Sequence, residues 1–297
     1  MKILSGHHRL KEILVSKALL ACALISIITT VSIVVILCKE AWSFFQIVSV
    51  REFLTNPLWT PLFEPQNWGI RPLIYGTLTV TLGAIIFALP LGLGSAIYLS
   101  EYASPTTRNI VKPILEVLAG VPTVVYGYFA LIFITPLLQM FIPNLGVFNA
   151  LSASIAVGIM ITPMISSLSE EALLAVPNAM REGALALGST KLETTFRVII
   201  PYALSGIVAS VVLAISRALG ETMIVTIAAG ATPKLTLNPL ESVQTMTAYI
   251  VQVSMGDAPY GGIEHLSIFT VGITLFMFTV MMNLIAVAIT DRFKIGE

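Results

Sequence analysis

Charged side chains are scarce in this sequence. Only 11% of its 297 residues are Asp, Glu, Lys or Arg, whereas 56% are hydrophobic. A soluble domain carries about 25% charged residues, so the composition excludes an ordinary soluble domain and predicts a membrane protein. The formal net charge is zero. We therefore expect this chain to contact membrane lipid and not to bind nucleic acid.

Cysteine and histidine are also rare. The two cysteines, Cys22 and Cys38, fall in one predicted helix about 24 Å apart, which is too far for a disulfide bond between them. The three histidines, His7, His8 and His265, lie scattered at the edges of apolar runs. This distribution argues against a histidine proton relay and against a metal site.

Motifs for nucleotide binding and catalysis are missing from the sequence. It contains no Gly-x4-Gly-Lys-Ser/Thr phosphate-binding loop, no nucleophile elbow and no zinc-protease motif. An intramembrane enzyme is therefore disfavoured, and we expect no cofactor in this chain. If ATP powers the protein, ATP and its magnesium ion bind to another chain.

Long apolar runs predict an all-α, polytopic membrane protein with about six transmembrane helices, each able to cross a hydrocarbon core of roughly 30 Å. The expected spans are 17–38, 73–99, 113–140, 149–169, 202–230 and 266–290. The first lacks a small-residue cleavage site and is interpreted as a retained helix. The predicted organisation is an N-terminal region, residues 1–72, with an outer segment, a core 73–290 that includes a cytoplasmic loop 170–201, and a tail 291–297.

The distribution of basic residues predicts the orientation. With the N-terminus in the cytoplasm, eleven lysines and arginines lie inside and four outside, and Arg217 within a predicted span completes the sixteen. Cytoplasmic loops carry an excess of Lys and Arg. We therefore expect both termini and the loop 170–201 to be cytoplasmic.

Arg217 is the most unusual residue of the predicted spans, because 202–230 carries only Arg217 and Glu221 as charges. An arginine near the bilayer centre costs about 2.5–3.5 kcal/mol and usually faces a bundle interior or a polar cavity. The spacing of four places both residues on one helical face, where they could pair. The pair could fix helix packing, or Arg217 could be a cationic point on a translocation path, which we favour. The hydroxyls of Ser216 and Thr222 are weaker candidates for the same path.

The segment before this span, 181–201, predicts a helix that ends near Gly188, a second helix capped by Ser189 or Thr190, and a span that opens at Pro201. The segment resembles the coupling loop of ABC importer permeases. That loop reads Glu-Ala-Ala, then Gly four residues after the last Ala, then Leu-Pro about a dozen residues later. The matching and departing positions here are Glu182, Gly183 in place of the first Ala, Ala184, Gly188, Ile200 in place of Leu, and Pro201.

Four further stretches resemble one subfamily, the permeases of the high-affinity phosphate importer. They are NWGIRPLIYGTL at 67–78, GVPTVVYG at 120–127, RALGET at 217–222 and GDAP at 256–259. Together they resemble the C-type permease, which pairs with an A-type permease, and the likeness extends from about residue 15 to 292. It implies the type I importer permease fold and half of a translocation pore in a bacterial inner membrane. It also implies a cytoplasmic ATPase dimer and an extracytoplasmic phosphate-binding protein as partners.

The chemistry of the candidate residues agrees with this resemblance. A guanidinium group offers a rigid fork of N–H donors that matches an oxyanion. Glu221 would hold Arg217 in the empty state and could accept a hydrogen bond from a phosphate hydroxyl. Two alternatives stay open: a permease for another oxyanion, molybdate or sulfate, and an anion carrier that needs no ATPase.

Two outer segments carry further expectations. The stretch 40–71 holds Trp42, Trp59 and Trp68, which we expect to anchor the chain at the membrane boundary rather than to form a docking surface. A short helix is expected to start at Pro239, and it could dip into the mouth of the bundle or lie on the membrane surface.

Overall fold

The computed structural model describes residues 6–256 and 259–293, with the side chains of 11–256 and 259–289. Within these ranges the chain is helical and forms no strand beyond an isolated bridge between Trp59 and Trp68. Three π-helical segments, Tyr98–Tyr102, Ala130–Ile134 and Thr195–Ile199, interrupt or extend the α-helices. The α-helices are α1 Gly6–Phe45, α2 Val50–Thr55, α3 Arg71–Ile97, α4 Pro105–Gly120, α5 Thr123–Phe129, α6 Thr135–Gln139, α7 Ala150–Leu174, α8 Asn178–Ala186, α9 Lys191–Thr194, α10 Ile200–Leu219, α11 Met223–Ala228, α12 Met246–Met255 and α13 Ile263–Phe293.

The prediction of about six spans is confirmed. Among the described residues, five helices are long and apolar enough to cross a membrane, and a bent helix pair can supply a sixth. The five are Lys11–Phe45, Arg71–Tyr102, Ala150–Leu174, Lys191–Leu219 and Ile263–Ile289.

The third predicted span, 113–140, has the wrong bounds. Ser104 caps α4 at Pro105, and the helix bends by 90° before Thr123–Gln139. The break lies at Val121, which is extended at φ −67° and ψ 130°, because the residue before a proline avoids the helical region and Pro122 cannot donate a backbone hydrogen bond.

The fifth predicted span, 202–230, is also wrong at both ends. The helix ends at Leu219, and the chain turns before α11. At the other end, helical structure runs without a break from Lys191, so Pro201 does not open the span. The π-helical segment Thr195–Ile199 accommodates this proline, since the N–H of Ile200 bonds the carbonyl five residues back, on Thr195.

The centre of the bundle is the packing of α3 against α7. A Cβ on Gly92 would lie 2.8 Å from the side chain of Ile165, and one on Gly158 would lie 2.8 Å from Phe87. Small residues allow membrane helices to approach this closely. α10 packs against α7 as well, and a buried hydrogen bond of 2.7 Å joins Ser169 to Ser210.

An aromatic cluster covers one end of the bundle. Trp59 is 1% exposed and packs edge-on against Trp68 and Tyr249. The expectation of membrane-boundary anchors is therefore wrong for Trp59 and Trp68, which belong to the interior, while Trp42 is 69% exposed. These rings are buried because α12 lies beneath them.

The outer helix starts later than expected. Asn238 accepts a hydrogen bond from the N–H of Leu240 and forms a turn at the predicted start, whereas α12 begins at Met246 under a Thr245 cap. Met246 is fully buried. Of the two open alternatives for this helix, the structure shows the one in which it dips into the bundle.

Candidate functional site

Arg217 lies in the last turn of α10, on a face that points away from the rest of the chain. Its side chain is exposed, as are Leu213 one turn earlier and Gly220 one turn later. The opposite face of α10 is buried through Ala214 and Ala218 in the core shared with α7. The C-terminal position also suits a cation, because the last carbonyls of a helix carry partial negative charge.

A hydrogen bond places this helix end along the length of α13. The hydroxyl of Ser216 donates to Asn283 Oδ1 over 2.9 Å. Asn283 is about 30 Å from the start of α13 at Ile263, and the whole 31-residue helix is about 46 Å long. Arg217 therefore sits between the two ends of an apolar helix, at a depth that hydrocarbon occupies on a lipid-facing surface.

Glu221 does not pair with Arg217, and no ion pair joins them among the described side chains. Its carboxylate is 7% exposed and accepts hydrogen bonds from the N–H groups of Met223, at 3.0 Å, and Ile224, at 3.2 Å. The expectation of one shared helical face is wrong, because α10 ends before Glu221 is reached. The carboxylate instead satisfies the first N–H groups of α11.

The two hydroxyl candidates have partners within the chain. Thr222 donates to the carbonyl of Gly220 over 3.2 Å, and Ser216 donates to Asn283. Sequence reasoning missed Asn283, although a signal was present: the run 266–290 has no charged residue, and Asn283 is its one side-chain amide. Polar residues within membrane helices are uncommon and often functional. Asn283 Oδ1 accepts from Ser216, the residue next to Arg217 in the chain.

The predicted helix–Gly–helix loop is confirmed. Gly188 has φ +87°, a conformation that glycine adopts without steric cost, and the N–H of Ser189 bonds the carbonyl of Ala184 as α8 ends. Thr190 caps the next helix through a reciprocal pair of hydrogen bonds with Glu193. The sharp reversal presents α8 as a projecting element.

α8 leaves its surface uncovered. None of its residues is buried, and Leu187 just after it is 90% exposed. Glu182 and Gly183 are exposed and Ala184 is half-buried. A Cβ on Gly183 would meet no atom within 4 Å. No described residue of this chain therefore requires a glycine at that position.

Residues 88–295 match the family model described as the binding-protein-dependent transport system inner membrane component. This chain belongs to that family. A probable ABC transporter permease protein of Bacillus subtilis, YqgH, is 32% identical over 93% of this chain and 89% of its own length. A phosphate transport system permease protein of Mesorhizobium japonicum, PstC, is 35% identical over 79% of this chain and 76% of its own length.

A bacterial ABC transporter involved in the import of the acidic polysaccharide alginate has a similar fold. Its matching chain gives a TM-score of 0.63 with 17% identity and covers 97% of this chain and 100% of its own length. The expected fold of an ABC importer permease is confirmed, and the chain is a multi-pass membrane component of that class of transporter. The GDAP stretch cannot be followed further, because Asp257 and Ala258 lie outside the described residues.

Proposed function

We propose that this chain is the C-type permease subunit of an ATP-driven phosphate importer in a bacterial inner membrane. It forms half of the translocation path, and an A-type permease forms the other half. A cytoplasmic ATPase dimer binds ATP and magnesium, and an extracytoplasmic phosphate-binding protein delivers the ion. Both termini and α8 face the cytoplasm. Relatives named as phosphate permeases over most of the chain support the substrate.

The position of Arg217 carries this proposal. An exposed guanidinium at that depth costs several kcal/mol against lipid, so the face of α10 that bears it fits a water-filled path or a partner subunit better than lipid. Two permeases that meet across this face would enclose Arg217 between them. Its charge then lies where a small anion passes.

The chemistry of the site suits phosphate. Arg217 supplies a charged fork of donors, and Asn283 adds neutral N–H donors from the neighbouring helix. Each charge-assisted hydrogen bond is worth about 1.5–3 kcal/mol, enough to compensate some of the lost hydration without trapping the ion. Glu221 supports the site indirectly, because its carboxylate accepts hydrogen bonds from the first N–H groups of α11.

The cytoplasmic loop supports the coupling role. The residues from Glu182 to Gly188 form an exposed helix and turn with apolar side chains at its tip. A short helix of this kind docks in a groove of a partner, as amphipathic recognition helices do. Closure of the ATPase dimer around ATP would move α8 and switch the path between its outward-open and inward-open forms.

Uptake by arginine variants tests the proposal. We expect Arg217→Met to lower phosphate uptake at least about 100-fold at matched membrane levels, because it removes two charge-assisted bonds worth about 3 kcal/mol. Arg217→Lys keeps the positive charge but not the planar fork of donors, so its phosphate uptake should lie between those of wild type and Arg217→Met. The matched control is Arg51→Met, which changes another exposed arginine, on α2. Full phosphate uptake by Arg217→Met in an assembled complex would contradict the proposal, and uptake of sulfate or molybdate instead of phosphate would contradict the substrate.

A further inference from the structure

Arg181 is a residue of α8 whose side chain bonds to the end of α7 and to the helical run that continues α3. Its guanidinium donates to the carbonyls of Leu173, over 2.7 Å, and Val176. It also lies 3.1 Å from Glu101 Oε1, at the end of the helical run that continues α3. We propose that Arg181 and Glu101 form the link through which movement of α8 is passed to α3 and α7. The inference rests on the proposed ATPase contact of α8.

The ends of α7 and α8 are arranged for this link. The last carbonyls of a helix lack partners within it. Arg181 bonds the carbonyl of Leu173, which also accepts from the N–H of Val176, and the carbonyl of Val176, two residues past the end of α7. Leu173 and Val176 are buried, so these bonds form at the edge of the core. The side chain of Glu101 is 7% exposed, so solvent screens its attraction to Arg181 only weakly.

α8 is only loosely packed against the bundle, where it contacts the π-helical segment Thr195–Ile199. It has no buried residue, and its apolar side chains face outward. A force applied to its outer surface can therefore reach the membrane helices through the chain ends, through the contact with Thr195–Ile199 and through Arg181. The chain itself leads from α8 to α7 on one side and to α9 and α10 on the other. The bond from Arg181 to Glu101 adds the helical run that continues α3, 80 residues away in sequence.

The receiving helices behave as one body. α3 and α7 touch at Gly92 and Gly158 with almost no space between them, so displacing one displaces the other. α10, which carries Arg217, packs against the same α7. A single tethered guanidinium is thus connected by continuous packing to the anion path.

Transport stoichiometry in the complete importer, reconstituted in liposomes, tests the link. We expect Glu101→Ala to lower phosphate uptake per ATP hydrolysed at least fivefold, while ATPase association and hydrolysis stay within about twofold of wild type. Glu101→Gln keeps an acceptor for Arg181 and should retain most of the coupling. The control is Glu40→Ala, which removes an exposed ion pair with Lys39. A merely structural role would lower assembly and hydrolysis together and leave uptake per ATP unchanged.

A covalent replacement gives a second, independent readout. In a background without Cys22 and Cys38, the double variant Glu101→Cys with Arg181→Cys should uncouple hydrolysis from uptake, and a flexible bismaleimide bridge between the two thiols should restore coupling. Unchanged uptake per ATP in Glu101→Ala, or in the unbridged double variant, would overturn the link. The proposed function fails by a different result, namely an ATPase that stays bound when Leu187, the exposed tip of the loop, is changed to Asp.

Discussion

α7 and α8 follow each other in the chain but meet opposite surroundings. More than half of the residues of α7 are buried, and its glycine and serine positions fit against α3 and α10. α8 buries none of its residues and exposes leucines at its end. The sequence of α7 is therefore explained by this chain alone. The exposed apolar residues of α8 are not covered by any part of the chain that the structure describes, whereas Arg181 bonds back to α7 and Glu101.

Arg217 belongs with α8 in this comparison, although it sits among membrane helices. Its side chain is exposed, and its surface is suited to a partner or an ion. Glu221, four residues later, belongs with α7, because its carboxylate is buried and caps a helix. Substitutions in the first class should damage assembly or transport, whereas those in the second should damage the fold.

The largest effect is expected at Leu187, the exposed residue that follows α8. Leu187→Asp should abolish binding of the ATPase without unfolding the permease, because burying an unpaired carboxylate in the contact costs about 4 kcal/mol or more, roughly 1000-fold in affinity. Co-purification of the ATPase with the permease measures this. Leu187→Met conserves apolar volume and should bind normally. Normal co-purification of the Asp variant would place the contact elsewhere.

A smaller effect, on the fold, is expected within the α3–α7 packing. Gly92→Leu should lower the free energy of unfolding by about 3 kcal/mol, because its Cβ would lie 2.8 Å from Ile165 and the side chain has no room. Thermal unfolding in detergent checks this. Gly94→Leu is the matched control, since a Cβ there meets nothing within 4 Å. Equal stability of the two variants would show that the helices separate easily, against the one-body description.

The smallest loss of stability is expected at Glu221, and it distinguishes the role of this residue from that of Arg217. Glu221→Leu should cost about 2 kcal/mol of stability, because it leaves the N–H groups of Met223 and Ile224 without an acceptor. Glu221→Gln retains a carbonyl oxygen and should cost less than about 1 kcal/mol. Thermal unfolding and phosphate uptake, measured side by side, are the readouts. If Glu221→Gln is stable but takes up no phosphate, Glu221 acts in anion transport and not only in stabilising the fold.

Much of the architecture could be predicted from the sequence. Apolar runs predict the number of spans, because each must cover a fixed thickness of hydrocarbon with backbone groups bonded within the helix. The helix–Gly–helix loop could also be predicted, since Gly188 and Thr190 act through local backbone geometry and local hydrogen bonds. The orientation of the termini and the division at residues 72 and 290 stay predictions.

The errors share one cause. Hydropathy does not distinguish a continuous helix from two helices joined at a bend, so 113–140 and 202–230 were each predicted as one continuous helix. The interval of four between Arg217 and Glu221 implied a pair only while the helix was assumed to continue. Trp59 and Trp68 were likewise predicted to be surface anchors, because the sequence does not show that α12 packs against them.

The sequence by itself determined the class of protein, the approximate number of spans and the helix–Gly–helix loop, because these follow from composition and from interactions between residues close in the chain. Only the tertiary structure decided which polar groups meet. Arg181 with Glu101 and Ser216 with Asn283 are separated by 80 and 67 residues. No local pattern encodes such contacts, since they depend on how long helices pack and on where each one ends.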